Sequence, residues 1–168
     1  MTQRSPFDQL CTLCGVEAGY EDIWGEYQPA SRKTRRALLA AMGIDARDET
    51  AVETALREIE QRQWQRLLPP VQVITAPVKL LRLPLQLPHA PSDEQSAPLV
   101  WALQLEDGRE QRGRIDGGTA TLPLLERHRL GRRTWLRYQL ELPVQAPPGY
   151  HRLTVEVEGM APKCMSLI

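Results

Sequence analysis

Several absences narrow what this chain can be before any motif is read. Its 168 residues hold three cysteines and one phenylalanine. Three thiols cannot all pair, and their placing suggests no disulfide framework. Lys+Arg and Asp+Glu are equal at 21 each, so no general electrostatic pull towards nucleic acid is expected. No apolar run approaches the roughly 20 residues that span a bilayer. The first residues are polar and include Asp8, unlike a secretory leader. No Gly-rich phosphate loop, nucleophile elbow or His-Glu zinc helix is found. A barrel with sites on the loops after its strands needs about 200 residues or more, so none fits. These absences predict a soluble, cytoplasmic chain without cofactor, membrane or nucleic-acid partner.

What is present is ordinary globular material, 42% hydrophobic and 25% charged, enough to bury a core unaided. Two grammars divide it. Residues 1–70 read as a subdomain of three helices. Ser5-Pro6 is a capping pair for the first, with Leu10, Leu13 and Cys14 as its apolar stripe and Gly15 as its stop. Ser31 caps a second, running through Ala37, Leu38, Ala41 and Met42 to Gly43. A third follows Asp48, with Val52, Ala55, Leu56 and Ile59 at helical spacing. It stops before Pro69-Pro70.

Residues 71–168 read with a period of two. Leu81, Leu83, Leu85 and Leu87 alternate with Arg82, Pro84 and Gln86, and Pro84 argues for an edge strand. Val78 and Leu80 have the opposite parity, which predicts a bulge near Leu80-Leu81. Leu99, Trp101, Leu103 and Leu105 form another apolar face, ended by the turn Asp107-Gly108. Asp116-Gly117-Gly118 marks a further turn. Leu136, Tyr138, Leu140 and Leu142, then Leu153, Val155 and Val157, repeat the pattern. The fold class expected is α+β: three helices followed by an antiparallel immunoglobulin-like β-sandwich. The chain ends Met165-Ser166-Leu167-Ile168, inside an apolar strand, which predicts a sandwich cut from a longer protein.

Few side chains point to chemistry. Cys11 and Cys14 have metal-ligand spacing but no second pair, and they lie in the last turns of a helix. Two small core residues are the expectation. Tyr20, Asp22, Trp24 and Tyr27 combine rings that could stack on sugars with an acid that could bind hydroxyls. The favoured reading is structural: Trp24 plugs a joint between helices and sandwich, and Asp22 holds the loop through backbone N–H groups. The run from Arg127 to Arg133, with His128, reads as a solvated strand-connecting loop. Arg32, Lys33, Arg35 and Arg36 read as the polar face of the second helix, offsetting acids nearby. Trp101 falls inward by parity, whereas Trp135 and Tyr150 point away from the apolar faces and are further glucan-contact or interdomain candidates. Retaining glycosyl transfer needs two carboxylates about 5 Å apart around one bond, and no carboxylate here has such a context. Catalytic and metal residues are therefore none.

The order Tyr20-x-Asp22-Ile23-Trp24-Gly25, then Ser31-x-x-Thr34-x-Arg36-Ala37-Leu38-Leu39-x-Ala41-Met42-Gly43, resembles the N-terminal region of bacterial 4-alpha-glucanotransferases (amylomaltases, disproportionating enzymes). Leu68-Pro69-Pro70-Val71, Pro148-Gly149-Tyr150-His151-Arg152-Leu153 and the final Ser166-Leu167-Ile168 fit the same family. The resemblance implies a parent that moves alpha-1,4-glucan segments between maltodextrins through a glycosyl-enzyme intermediate. It places the catalytic barrel and its acids beyond Ile168. The expected role here is a non-catalytic region that packs against and supports that barrel. A carbohydrate-binding module for alpha-glucans or a protein-docking domain are the alternatives.

Overall fold

The computed structural model describes residues 5–74, 79–89 and 98–168. They fall into two compact units, Met1–Gln63 and Trp64–Ile168. Both the helices and the β-sandwich are present, so the fold class is α+β.

The first unit holds α1 (Pro6–Leu13), a hairpin of β1 (Gly19–Glu21) and β2 (Tyr27–Pro29), α2 (Arg32–Ala41) and most of α3 (Glu49–Trp64). Each helix begins on a side-chain cap. Ser5 accepts from the Asp8 N–H, Ser31 from Thr34, and Asp48 Oδ1 from Ala51, satisfying donors that have no partner within the helix. Phe7, Leu10, Cys11, Val16, Leu39, Ala46, Val52 and Ala55 form the core.

Two helix faces differ from the sequence expectation. On α1, Leu13 is exposed and Phe7, Leu10 and Cys11 are buried. On α2, Leu38 and Met42 face water while Leu39 alone is fully buried. The reason is the chain's one phenylalanine. The guanidinium carbons of Arg32, Arg35 and Arg36 lie 4.7, 5.2 and 5.6 Å from the Phe7 ring centroid. Arginine stems cover apolar surface while their heads reach outward, so Arg35, Arg36 and Leu39 turn inward, with the exposed Arg32 at the margin of that row. Arg35 also pairs with Asp8 at 2.7 Å.

The second unit contains two sheets. One has three strands in the order β4 (Leu81–Pro88), β8 (Arg133–Leu142), β7 (Leu124–Leu130). The other has five, in the order β3 (Val71–Gln72), β10 (Lys163–Leu167), β9 (His151–Val157), β5 (Leu99–Gln104), β6 (Glu110–Ile115). Their alternating apolar residues share one core that includes Leu83, Leu140, Leu103, Leu153 and Leu167. Pro84 does lie on an edge strand. Trp101 is buried, and Gly113 sits directly opposite it on β6, where a Cβ would overlap the indole. The β6 edge is tied down by Gln111, whose amide accepts from the Gln145 N–H and donates to its carbonyl.

Three strand expectations need correction. The five-stranded sheet is mixed, not antiparallel, because β3 pairs in parallel with β10 through Val71 and Ser166. No tight turn joins these strands, so hairpin signals, which report sequence neighbours, say nothing of their direction. The irregularity expected near Leu80-Leu81 is replaced by regular pairing from Leu81 onward, with Val78 outside the described residues; the bulge occurs between Leu124 and Glu126 instead. The basic run is not a loop: it forms the end of β7, a tight turn with Gly131 at φ +61°, and the start of β8. There His128 stacks on Trp64 with ring centroids 4.6 Å apart, and the Arg137 guanidinium lies 4.2 Å from the Trp64 ring centroid.

Candidate functional site

The β1–β2 hairpin gathers Tyr20, Asp22, Trp24 and Tyr27 into one short element. Tyr20 faces Gln28 and Glu21 faces Tyr27 across the ladder. Gly25 adopts φ +80° and donates its N–H to the Asp22 carbonyl at 3.0 Å, closing the turn. Glycine is suited to that conformation because it lacks a Cβ. Gly19 meets a different need, since a Cβ there would overlap the Tyr27 ring.

Asp22 organises the tip. Its Oδ1 accepts from the Trp24 and Glu26 N–H groups, each at 3.0 Å, and its Oδ2 from the Gln28 amide at 2.9 Å. The Gln28 bond foremost, then those backbone N–H groups, holds the Asp22 carboxyl below the usual aspartate range. The loop-holding role expected of Asp22 is thus present in full.

Within the hairpin Trp24 is 80% exposed, beside Ile23 at 88%, with Tyr20 and Tyr27 also exposed. In the sequence Ile23 stood only as a position of the family motif, with no role of its own. Its position in the five-residue connection between β1 and β2 turns it outward.

The other candidates lie elsewhere. Trp135 is half-buried on β8, opposite Pro88 on one side and His128 on the other. Tyr150 is exposed just before β9, in the other sheet. Its N–H donates to Glu106 Oε2 at 3.0 Å. The adjoining His151 is buried; its Nδ1 accepts from the Glu106 N–H, so Nε2 carries the proton and donates to the Pro147 carbonyl at 2.7 Å. This fixes the backbone under Tyr150. Trp135 and Tyr150 therefore do not share a sheet.

Cys11 is buried and Cys14 half-buried, and burial pushes both thiols up, away from the thiolate that nucleophiles and metal sites use. Among the described residues no group of three or more His, Cys, Asp and Glu could hold a metal ion. None of their helices is long and apolar enough to cross a membrane.

The comparisons with known proteins agree with the architecture. Residues 67–168 match the family described as the MalQ N-terminal beta sandwich domain. The chain is 30% identical over 157 residues to the 4-alpha-glucanotransferases of Mycobacterium bovis and Mycobacterium tuberculosis, a match covering 92% of this chain and 20% of theirs. It thus spans about a fifth of the length of these relatives. The crystal structure of amylomaltase from Corynebacterium glutamicum has the same fold in the aligned part, with a TM-score of 0.68, 21% identity, and coverage of 97% of this chain and 22% of that one. By sequence and by fold, this chain belongs to the MalQ N-terminal β-sandwich family, the N-terminal region of amylomaltase-type 4-alpha-glucanotransferases.

Proposed function

We propose that this chain is the non-catalytic N-terminal region of a cytoplasmic 4-alpha-glucanotransferase, packing against and supporting the catalytic barrel that follows. The parent would transfer alpha-1,4-glucan segments between maltodextrins. The observation that carries this reading is the coverage: nearly the whole chain aligns, yet with only a fifth of each relative. A sandwich whose two sheets share one hydrophobic core suits such a support.

The test compares the full-length polypeptide with one that begins after Ile168. The supporting role predicts a lower Tm for the shortened protein and unchanged kcat/KM per folded molecule at low temperature. An unchanged Tm would contradict it.

A second reading, an alpha-glucan binding module, is favoured by the exposure of Tyr20, Trp24 and Tyr150, since aromatic faces stack on sugar rings. It predicts heat on titrating the chain with maltoheptaose at millimolar concentration, abolished by Trp24→Ala or Tyr150→Ala. The supporting role predicts no heat.

A further inference from the structure

The hairpin tip combines two properties that rarely coincide without use. Its large side chains, Tyr20, Ile23, Trp24 and Tyr27, are 66%, 88%, 80% and 58% exposed. Its backbone is nonetheless pinned by two N–H bonds to the Asp22 carboxylate, itself held by the Gln28 amide, and by the left-handed Gly25. Exposed apolar surface of this kind marks an interaction site, and pinning before contact lowers the ordering cost of association.

The chemistry of the tip distinguishes between occupants. Three of the roughly four acceptor positions of the Asp22 carboxylate are taken by the hairpin itself, which leaves little of it for sugar hydroxyls. The most exposed large residue, Ile23, has no flat face to stack on a pyranose. An isoleucine beside a tryptophan instead suits a protein pocket, where such anchors carry most of an interface's energy. The exposed Glu21 and Glu26 flank them, so a receiving surface of opposite charge would have a basic rim. A large polypeptide lies available in the family, since the relatives are about five times the length matched here.

We infer that the β1–β2 hairpin is an anchor whose Ile23-Trp24 tip inserts into an apolar, basic-rimmed pocket on the polypeptide that follows residue 168. This rests on the proposed supporting role and names the contact that delivers it. Ile23 and Trp24 make the contact, Asp22 and Gly25 hold them in place, and Tyr150 lies outside it.

The test is binding in trans. The 168-residue chain is immobilised and the polypeptide encoded after residue 168, first checked to be folded by its circular dichroism and cooperative unfolding, is passed over it, with the unsubstituted chain, the double variant Ile23→Ser with Trp24→Ser, and Tyr150→Ala compared. The substituted side chains are exposed, and unchanged circular dichroism checks that each variant is folded. The expected result is retention by the unsubstituted chain and by Tyr150→Ala, with affinity lowered about thirtyfold or more in the double variant, as loss of interface anchors implies. Equal retention by the double variant overturns the inference while leaving the supporting role standing. No retention by the unsubstituted chain, or a reading frame that stops at Ile168, overturns both. Maltoheptaose binding that the double variant loses, with protein retention unaffected, also overturns it and assigns the hairpin to glucan.

Discussion

Asp22 shows how one residue can matter without touching any partner. Its three hydrogen bonds hold the backbone that carries Ile23 and Trp24, and the same bonds lower its pKa. A carboxyl whose native pKa lies below its unfolded value contributes order that is complete above the ordinary aspartate range, near 4. That order is lost as pH falls through the lower native value. The protection of the Trp24 and Glu26 amides, taken relative to intrinsic exchange at each pH, is therefore expected to be present at neutral pH and to fall in that acid window. In Asp22→Ala both amides exchange fast throughout, as hydrogen exchange followed by NMR can establish. The cysteines make a second prediction at this scale. Cys164 is exposed, whereas Cys11 is buried and its thiol pushed up. Titration of the native protein with a thiol-reactive dye should show one fast thiol, Cys164, and Cys11 among the slow ones. Three equal rates would contradict this placing.

Among the elements, α2 separates pattern from packing most sharply. Leu38 and Leu39 are neighbours in sequence, yet only Leu39 is fully buried. Leu39→Ala should cost about 2–5 kcal/mol, the usual range for a buried leucine. Leu38→Ala should change stability by less than about 0.5 kcal/mol, as exposed sites do. Denaturant unfolding of both variants checks the pair. On β6, Gly113→Val should destabilise by about 1–3 kcal/mol, because a Cβ there overlaps the Trp101 ring.

These cases also mark where sequence reading works and where it stops. Caps at Ser5 and Ser31, and the helix start after Asp48, were legible because each is a local chemical fact within four residues. The apolar faces of β4, β5, β8 and β9 were legible because a period of two imposes one face on the core. The β1–β2 hairpin was not: its strands have three residues each, and Gly19, Glu21 and Pro29 are poor strand formers. The inward face of α2 was hidden because its apolar cover is arginine stem, which a hydropathy pattern scores as polar. The parallel pairing of β3 with β10 joins segments more than ninety residues apart, beyond the reach of any turn signal. At the candidate site, Asp22 was readable as a loop holder, whereas the exposure of Trp24 followed from hairpin geometry that the sequence did not announce.

At the scale of the whole molecule, each unit has a core of its own. Residues 64–168 carry the larger one, and expressed alone they should keep their near-ultraviolet circular dichroism and unfold cooperatively; a featureless spectrum would show that this unit does not stand by itself. The described residues hold a sandwich with one hydrophobic core, capped helices, a buried Cys11 and an exposed hairpin, and the role proposed for them is support and contact rather than reaction. The most direct test of that account is to incubate the purified 168-residue chain with maltotriose and follow the products by chromatography. The account predicts that maltotriose stays intact, with no glucose and no longer maltodextrins formed. Release of glucose together with longer chains, from protein free of any other glucanotransferase, would place catalysis within these residues and contradict it.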